Sequence, residues 1–168
     1  MDRLKDLIAK LSRGEGPKDL ESYLEDFVPN TLLKSNTLQE AYGVSRKEMS
    51  ELYKKAYDYY QENRYDQSIV LFRFLVMLNP FVTKYWMGLG SSQQLLKQYE
   101  KALHSYAIWA LLDGKNPAPH FQASECYAAL ANRVEGNKAL KEALERTTNK
   151  PVYKQLREEV ERCLQQQS

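Results

Sequence analysis

The 168-residue chain offers few groups that make or break bonds. His104 and His120 lie sixteen residues apart, with no carboxylate arrangement of the kind that completes a ligand set. Cys126 and Cys163 are isolated, with no Cys-x2-Cys pair and no nearby His, so neither zinc spacing nor a disulfide framework is present. Cys126 reads as a small buried hydrophobe, and the two histidines read as packing or surface residues. The seven glycines form neither GxGxxG nor GxxxxGKS/T, which leaves nucleotide cradles without support. No catalytic residue, metal or cofactor is expected, and an enzyme is not the reading. Recognition chemistry is better represented. Tyr53, Tyr57 and Tyr60 fall at i, i+4 and i+7, on one face of a helix. Tyrosine supplies a large rigid ring with a polar tip and loses little entropy when held, which suits the grip of a peptide.

Something must position those rings. At 168 residues, 43% hydrophobic and 27% charged, the chain is long enough for one domain with a real core. A net charge of +2 removes the broad basic field expected of a nucleic-acid binder. The longest apolar run, Ile69 to Leu78, is broken by Arg73 and falls short of the roughly 18 residues of a membrane span. The acidic N-terminal residues Asp2 and Asp6 and the lack of an apolar stretch show no secretory signal. A soluble cytoplasmic protein without direct membrane insertion is expected.

The organising signal is self-similarity. Leu52 recurs as Trp86, Ala56 as Gly90, Tyr65 as Tyr99 and Asp66 as Glu100, each at a spacing of 34. Ser68 recurs as Ala102, Ile69 as Leu103, Phe72 as Tyr106 and Leu75 as Trp109 at the same spacing. A 34-residue period with Trp-x2-Leu-Gly-x2-Tyr, Ala-x3-Phe and Pro elements is the tetratricopeptide (TPR) pattern. Here it reads Trp86-Met87-Gly88-Leu89-Gly90 with Ala102-x3-Tyr106, preceded by Ala56-x2-Tyr59 with Ser68-x3-Phe72 and closed by Pro80. Small residues at Ala56, Gly90, Ser68 and Ala102 let paired helices approach, and the bulky positions fill the space between them. Tyr65 and Tyr99 mark the turns. A third, degenerate unit carries Phe121, Ala123, Ser124 and Tyr127, then a turn at Asn132-Arg133, then Ala139, Leu140, Ala143 and Leu144. Pro117 and Pro151 are 34 apart but Pro80 and Pro117 are 37 apart, which predicts about three extra residues in the second unit.

The flanks do not repeat. Leu4, Leu7, Ile8 and Leu11 form an amphipathic stripe ended by Gly14-Glu15-Gly16-Pro17, and Leu20, Tyr23, Leu24 and Phe27 form a second before Pro29. Leu4, Leu7, Ile8, Leu11, Leu20, Tyr23 and Leu24 would either make a homodimer contact or cap the first repeat of their own chain. Ser45-Arg46-Lys47-Glu48 is a capping box that opens the first repeat helix near Met49. After Pro151, Tyr153, Leu156, Val160 and Leu164 give the polar-faced capping helix a solenoid needs. The expected fold is therefore all-α: three tandem TPR helix pairs in a curved superhelix, with N-terminal helices and a C-terminal cap. The expected boundaries are residues 1–45 for the N-terminal segment and about 49–82, 83–116 and 117–150 for the repeats within 46–150. Residues 151–168 form the cap, in a single domain overall.

In such an array the first helix of each pair lines a concave surface. The face holding Tyr53, Tyr57 and Tyr60 differs from the Leu52, Ala56 and Tyr59 packing set, so it suggests a groove. The other reading is that these rings pack under the N-terminal segment or in a dimer. The equivalent face carries Met87, Ser91 and Gln94 in the second unit and Phe121, Glu125 and Ala128 in the third. TPR adaptors that clamp an acidic tail use Lys, Arg and Asn here, and Tyr53 and Tyr57 disfavour that ligand. An extended peptide with hydrophobic side chains is predicted instead; a generic TPR adaptor joining folded proteins is the alternative.

The run Leu52-Tyr53-x2-Ala56-Tyr57-x2-Tyr60-Gln61-x3-Tyr65 resembles the class II chaperones of bacterial type III secretion, the LcrH/SycD family. Phe72-x2-Leu75-x2-Leu78, Trp86-Met87-Gly88-Leu89-Gly90, Ala102-Leu103-His104-Ser105-Tyr106, Ala123-x-Glu125-Cys126 and Asn149-Lys150-Pro151 continue the likeness over roughly residues 45–151. The resemblance implies a chaperone of the bacterial cytoplasm for the hydrophobic translocator proteins that later form a pore, and a tendency to dimerise through N-terminal helices. It implies Tyr53, Tyr57, Tyr60 and Tyr65, with Tyr106 of the second repeat, as the aromatic residues of the groove.

Overall fold

The computed structural model describes residues 2–15 and 37–166. Among them the chain is all-α. The helices are α1 (Asp2–Ser12), α2 (Leu38–Ala41), α3 (Arg46–Gln61), α4 (Tyr65–Leu78), α5 (Thr83–Leu95), α6 (Tyr99–Leu112), α7 (Ala118–Ala129), α8 (Arg133–Thr147) and α9 (Lys154–Gln166). A 3-10 turn, Pro151–Tyr153, precedes α9. Length alone suggests one domain, and the chain clusters into two compact units, Met1–Ser92 and Gln93–Ser168.

Three turns set the helix pairs. Asn63, Lys97 and Ala131 all adopt left-handed backbone, with φ of 59°, 59° and 56°. They are 34 residues apart, and each closes a helix by the same two hydrogen bonds. Arg64, Gln98 and Asn132 N–H groups donate to the carbonyls of Tyr59, Gln93 and Tyr127, each at 2.9 Å. Asn63, Lys97 and Ala131 N–H groups donate to the carbonyls of Tyr60, Gln94 and Ala128. The turn spacing corrects the expectation of three extra residues in the second unit. Pro80 lies in the loop after α4 whereas Pro117 caps α7, so the distance between prolines does not measure the repeat.

In the first unit, Ser45 caps α3 and the capping box forms: Glu48 N–H donates to Ser45 Oγ, and Ser45 N–H donates to Glu48 Oε2 at 2.8 Å. The helix therefore begins at Arg46, a turn earlier than the apolar pattern suggests. Leu52, Ala56 and Tyr59 of α3 face Ile69, Phe72 and Leu75 of α4 in one buried cluster. Leu7, Ile8 and Leu11 of α1 are buried in that cluster. These three side chains are thus covered by their own chain, as in the capping alternative of the two. An amphipathic stripe shows that a face must be covered, not which chain covers it. The side chain of Leu4, and Leu20, Tyr23 and Leu24, lie outside the described residues.

Ser68 Oγ donates to the Ala56 carbonyl at 2.9 Å and lies 3.0 Å from Ser92 Oγ. A small polar residue here satisfies itself against backbone while letting helices approach. The closest approach comes at Gly88 of α5: a Cβ there would lie 2.2 Å from Phe72 Cζ.

In the second unit Phe121 of α7, Leu140 and Ala143 of α8 and Val160 of α9 form a core, with Leu156, Cys163 and Leu164 packed on it. Asn132 caps α8 by accepting the Glu135 N–H at 3.2 Å.

Candidate functional site

Four rings on and beside α3 form a continuous row in the first unit. Tyr53 and Tyr57 stack at 6.4 Å between centroids and 13° between planes, and Tyr57 and Tyr60 stack at 6.2 Å and 18°. Tyr60 meets Tyr65, the first residue of α4, edge-on at 5.6 Å. Helical spacing at i, i+4 and i+7 puts the first three in line, and the left-handed turn at Asn63 brings Tyr65 to the end of the row. Tyr65 is fixed by its hydroxyl, which donates to Asn63 Oδ1 at 2.6 Å.

The row is anchored at one end and open in the middle. Tyr53 packs edge-on to the buried Phe72 at 5.9 Å, while Tyr57 is 47% exposed. Tyr60 and Tyr65 are half-buried. Burial, and after it the neighbouring Tyr57 phenol, raises the Tyr53 pKa. Burial, with Tyr65 and then Tyr57 beside it, raises that of Tyr60. Both phenols therefore remain protonated at neutral pH and present hydroxyl donors and apolar ring faces together. Met87 and Ser91 of α5 lie in the same unit, Met87 exposed and Ser91 half-buried.

Two partners of the row escaped sequence reading. Tyr85 lies 5.9 Å from Tyr53, and Lys84 Nζ sits 4.2 Å over the Tyr53 ring. The repeat counterpart of Tyr85 is Glu51 and that of Lys84 is Ser50, so comparison of repeats gave them no weight. The Lys-Tyr pair opening α5 was the available signal.

The second unit uses the equivalent positions differently. Tyr106 is only 1% exposed, and its hydroxyl donates to Gln94 Oε1 at 2.7 Å. Gln94 Nε2 in turn donates to Glu125 Oε2 at 3.1 Å. Phe121, 8% exposed, belongs to the core. Tyr106 and Phe121 thus support this face from beneath and do not line it, a correction to both assignments. Of the expected residues here, Glu125 is exposed and Gln94 half-buried.

Elsewhere in the second unit a cavity of about 470 Å³ lies among α6, α7 and α8, bordered by Leu103, Ala107, His120, Ala139 and Arg146. His120 Nε2 is buried there without a hydrogen-bond partner. Burial, and then the Arg146 guanidinium, lowers the His120 pKa against a weaker opposing effect of Glu142. Cys126 is buried, and desolvation, with Glu125 adding to it, pushes its thiol up to about 12. It is not a nucleophile at neutral pH. Among the described residues no three metal-ligating side chains converge, and no helix is long and apolar enough to cross a membrane.

Turns recurring every 34 residues, small side chains where helices meet and an outward row of rings define a tetratricopeptide-repeat protein. The tetratricopeptide repeat family model matches residues 49–80 and 83–116. The chain is 31% identical over 122 residues to low calcium response locus protein H of Yersinia pseudotuberculosis, covering 73% of each chain. A solved CopN-Scc3 complex contains a chain 38% identical to this one, with a TM-score of 0.79 and coverage of 97% of this chain and 99% of that one. The Yersinia enterocolitica translocator chaperone SycD, solved with a peptide of the translocator YopD, is 31% identical with a TM-score of 0.71. That match covers 74% of this chain and 95% of SycD. The chain belongs to the LcrH/SycD family, the class II chaperones of type III secretion.

Proposed function

We propose that this protein is a non-enzymatic chaperone of the bacterial cytoplasm that binds an extended hydrophobic segment of a type III translocator, with the tyrosine row as its principal anchor. The observation carrying this reading is the unbroken row Tyr53–Tyr57–Tyr60–Tyr65, ring against ring and open to solvent at Tyr57. Its relative SycD is seen with a peptide of the translocator YopD, which supports the ligand class. Apolar peptide side chains gain ring contact, and the protonated phenols offer donors to peptide carbonyls.

The work follows from solubility. A translocator destined for a bilayer carries long apolar segments, and covering part of one keeps such patches from meeting each other. Binding by mass action needs no nucleotide, and release comes from competition at the secretion machine. Affinity is moderate, because ordering an extended chain offsets much of what the anchors contribute.

The test is co-purification of a hydrophobic translocator with Tyr57→Ala and Tyr60→Ala chaperone. Losing one anchor ring costs about 2 kcal/mol, a roughly thirty-fold weaker complex. The expected result is loss of partner with unchanged helical circular dichroism. Normal retention of partner by both variants would remove the tyrosine row from the binding face.

A further inference from the structure

We propose that Glu125 is a specificity-determining residue that selects a lysine or arginine side chain on the bound segment where it runs over α7; this rests on the peptide-binding reading above. The positions that hold tyrosines in the first unit hold a hydrogen-bonded polar chain in the second. Glu125 stands 68 residues, two repeats, after Tyr57, and Gln94 stands one repeat after Tyr60. Ring faces are thus replaced by a carboxylate at the matching place.

The carboxylate is aimed by a relay. The buried Tyr106 hydroxyl has one proton to give, and its short contact is to Gln94 Oε1 at 2.7 Å. A second acceptor, Gln122 Oε1, is at 3.5 Å. With Oε1 turned to the phenol, Gln94 must present Nε2 to Glu125, at 3.1 Å. An inverted amide would set an acceptor against a carboxylate, which only accepts. The orientation is therefore fixed from the core outward. Its donor is a neutral amide, and no Lys or Arg among the described residues pairs with Glu125. Glu125 is exposed, and its near neighbours on α7, Gln122 and Ala128, are neutral. An exposed carboxylate flanked on its own helix by neutral residues favours a cationic side chain and repels an acidic one.

The full chain is titrated at low ionic strength with short fluorescent peptides of alternating leucine and serine. One serine is replaced in turn by Lys, Gln or Glu. An exposed charge contact is worth about 0.2–1 kcal/mol, so attraction and repulsion together separate the best Lys and Glu peptides by about two- to thirty-fold. Raised salt shrinks that ratio. Glu125→Gln brings it to about one; Glu125→Lys inverts it. Gln94→Met lowers the ratio part-way, as expected of a positioning residue. An equal ratio in the parent protein and Glu125→Gln overturns the assignment while leaving peptide binding intact. Failure of the parent protein to bind any of the peptides, the Gln form included, would instead overturn the peptide-binding reading and this inference with it.

Discussion

Two glycines of this chain are expected to respond to the same substitution with opposite signs. In Gly88→Ala the new methyl carbon would sit 2.2 Å from Phe72 Cζ and 2.4 and 2.6 Å from its two Cε atoms. Carbon atoms rest at about 3.5–4.0 Å, so the ring must retreat by more than about 1 Å. Phe72 is 1% exposed and meets Tyr53 edge-on, so that retreat presses on the anchored end of the tyrosine row. Overpacking of this kind costs about 1–3 kcal/mol, against up to about 1 kcal/mol gained from the better helix propensity of alanine. The net expectation is a loss of about 1–2 kcal/mol in urea unfolding followed by circular dichroism, accompanied by weaker capture of a translocator. In Gly136→Ala the methyl would lie 3.5 Å from Tyr127 Cβ, ordinary contact, so the propensity gain of up to about 1 kcal/mol is kept. A double variant, Gly88→Ala with Phe72→Leu, removes the ring edge and should be less destabilised than the sum of its parts by about 1 kcal/mol. If Gly88→Ala is as stable as the parent protein and the double variant merely additive, the close approach of α5 to Phe72 is not the constraint described.

Two further expectations follow from single positions. Ala131 sits at φ 56° with a methyl group and no polar side-chain atom to offset the strain, so Ala131→Gly should raise the urea midpoint by about 1 kcal/mol equivalent; no gain would mean the third turn is not left-handed in solution. His120, with its folded pKa lowered by burial and Arg146, contributes stability that is full above the ordinary histidine range and lost as pH falls through its folded ionisation. Unfolding midpoints at about pH 7.5 and about pH 5.5 should therefore drop more for the parent protein than for His120→Gln, and parallel losses would place the imidazole in water.

The packing register was legible because each repeat position meets the same neighbour wherever it recurs. Leu52, Ala56, Ser68 and Phe72 announce their partners by size alone, and Ser45 with Glu48 announces a helix start by chemistry. The third turn was legible at Asn132-Arg133, where the next helix starts, but the residue that takes its left-handed backbone was not. Left-handed backbone is signalled by Gly or Asn, and Ala131 gives no such sign; the surrounding helices impose the conformation. Gly88 was likewise overlooked, because the repeat pattern draws attention to Gly90 while the clash surface belongs to its neighbour two residues earlier. What spacing cannot supply is the use to which an outward position is put. Tyr53 and Phe121 occupy matching places, yet one ring joins a row whose middle member is open to solvent and the other is sealed in a core. The difference comes from the elements packed around them: Phe121 meets Leu140, Ala143 and Val160, whereas Tyr53 rests on the edge of Phe72 and on Tyr85 and lies beneath the Lys84 ammonium. A repeat protein thus writes its scaffold in period and its recognition surface in departures from that period, and for this chain the departures are the tyrosine row on α3 and the carboxylate of Glu125.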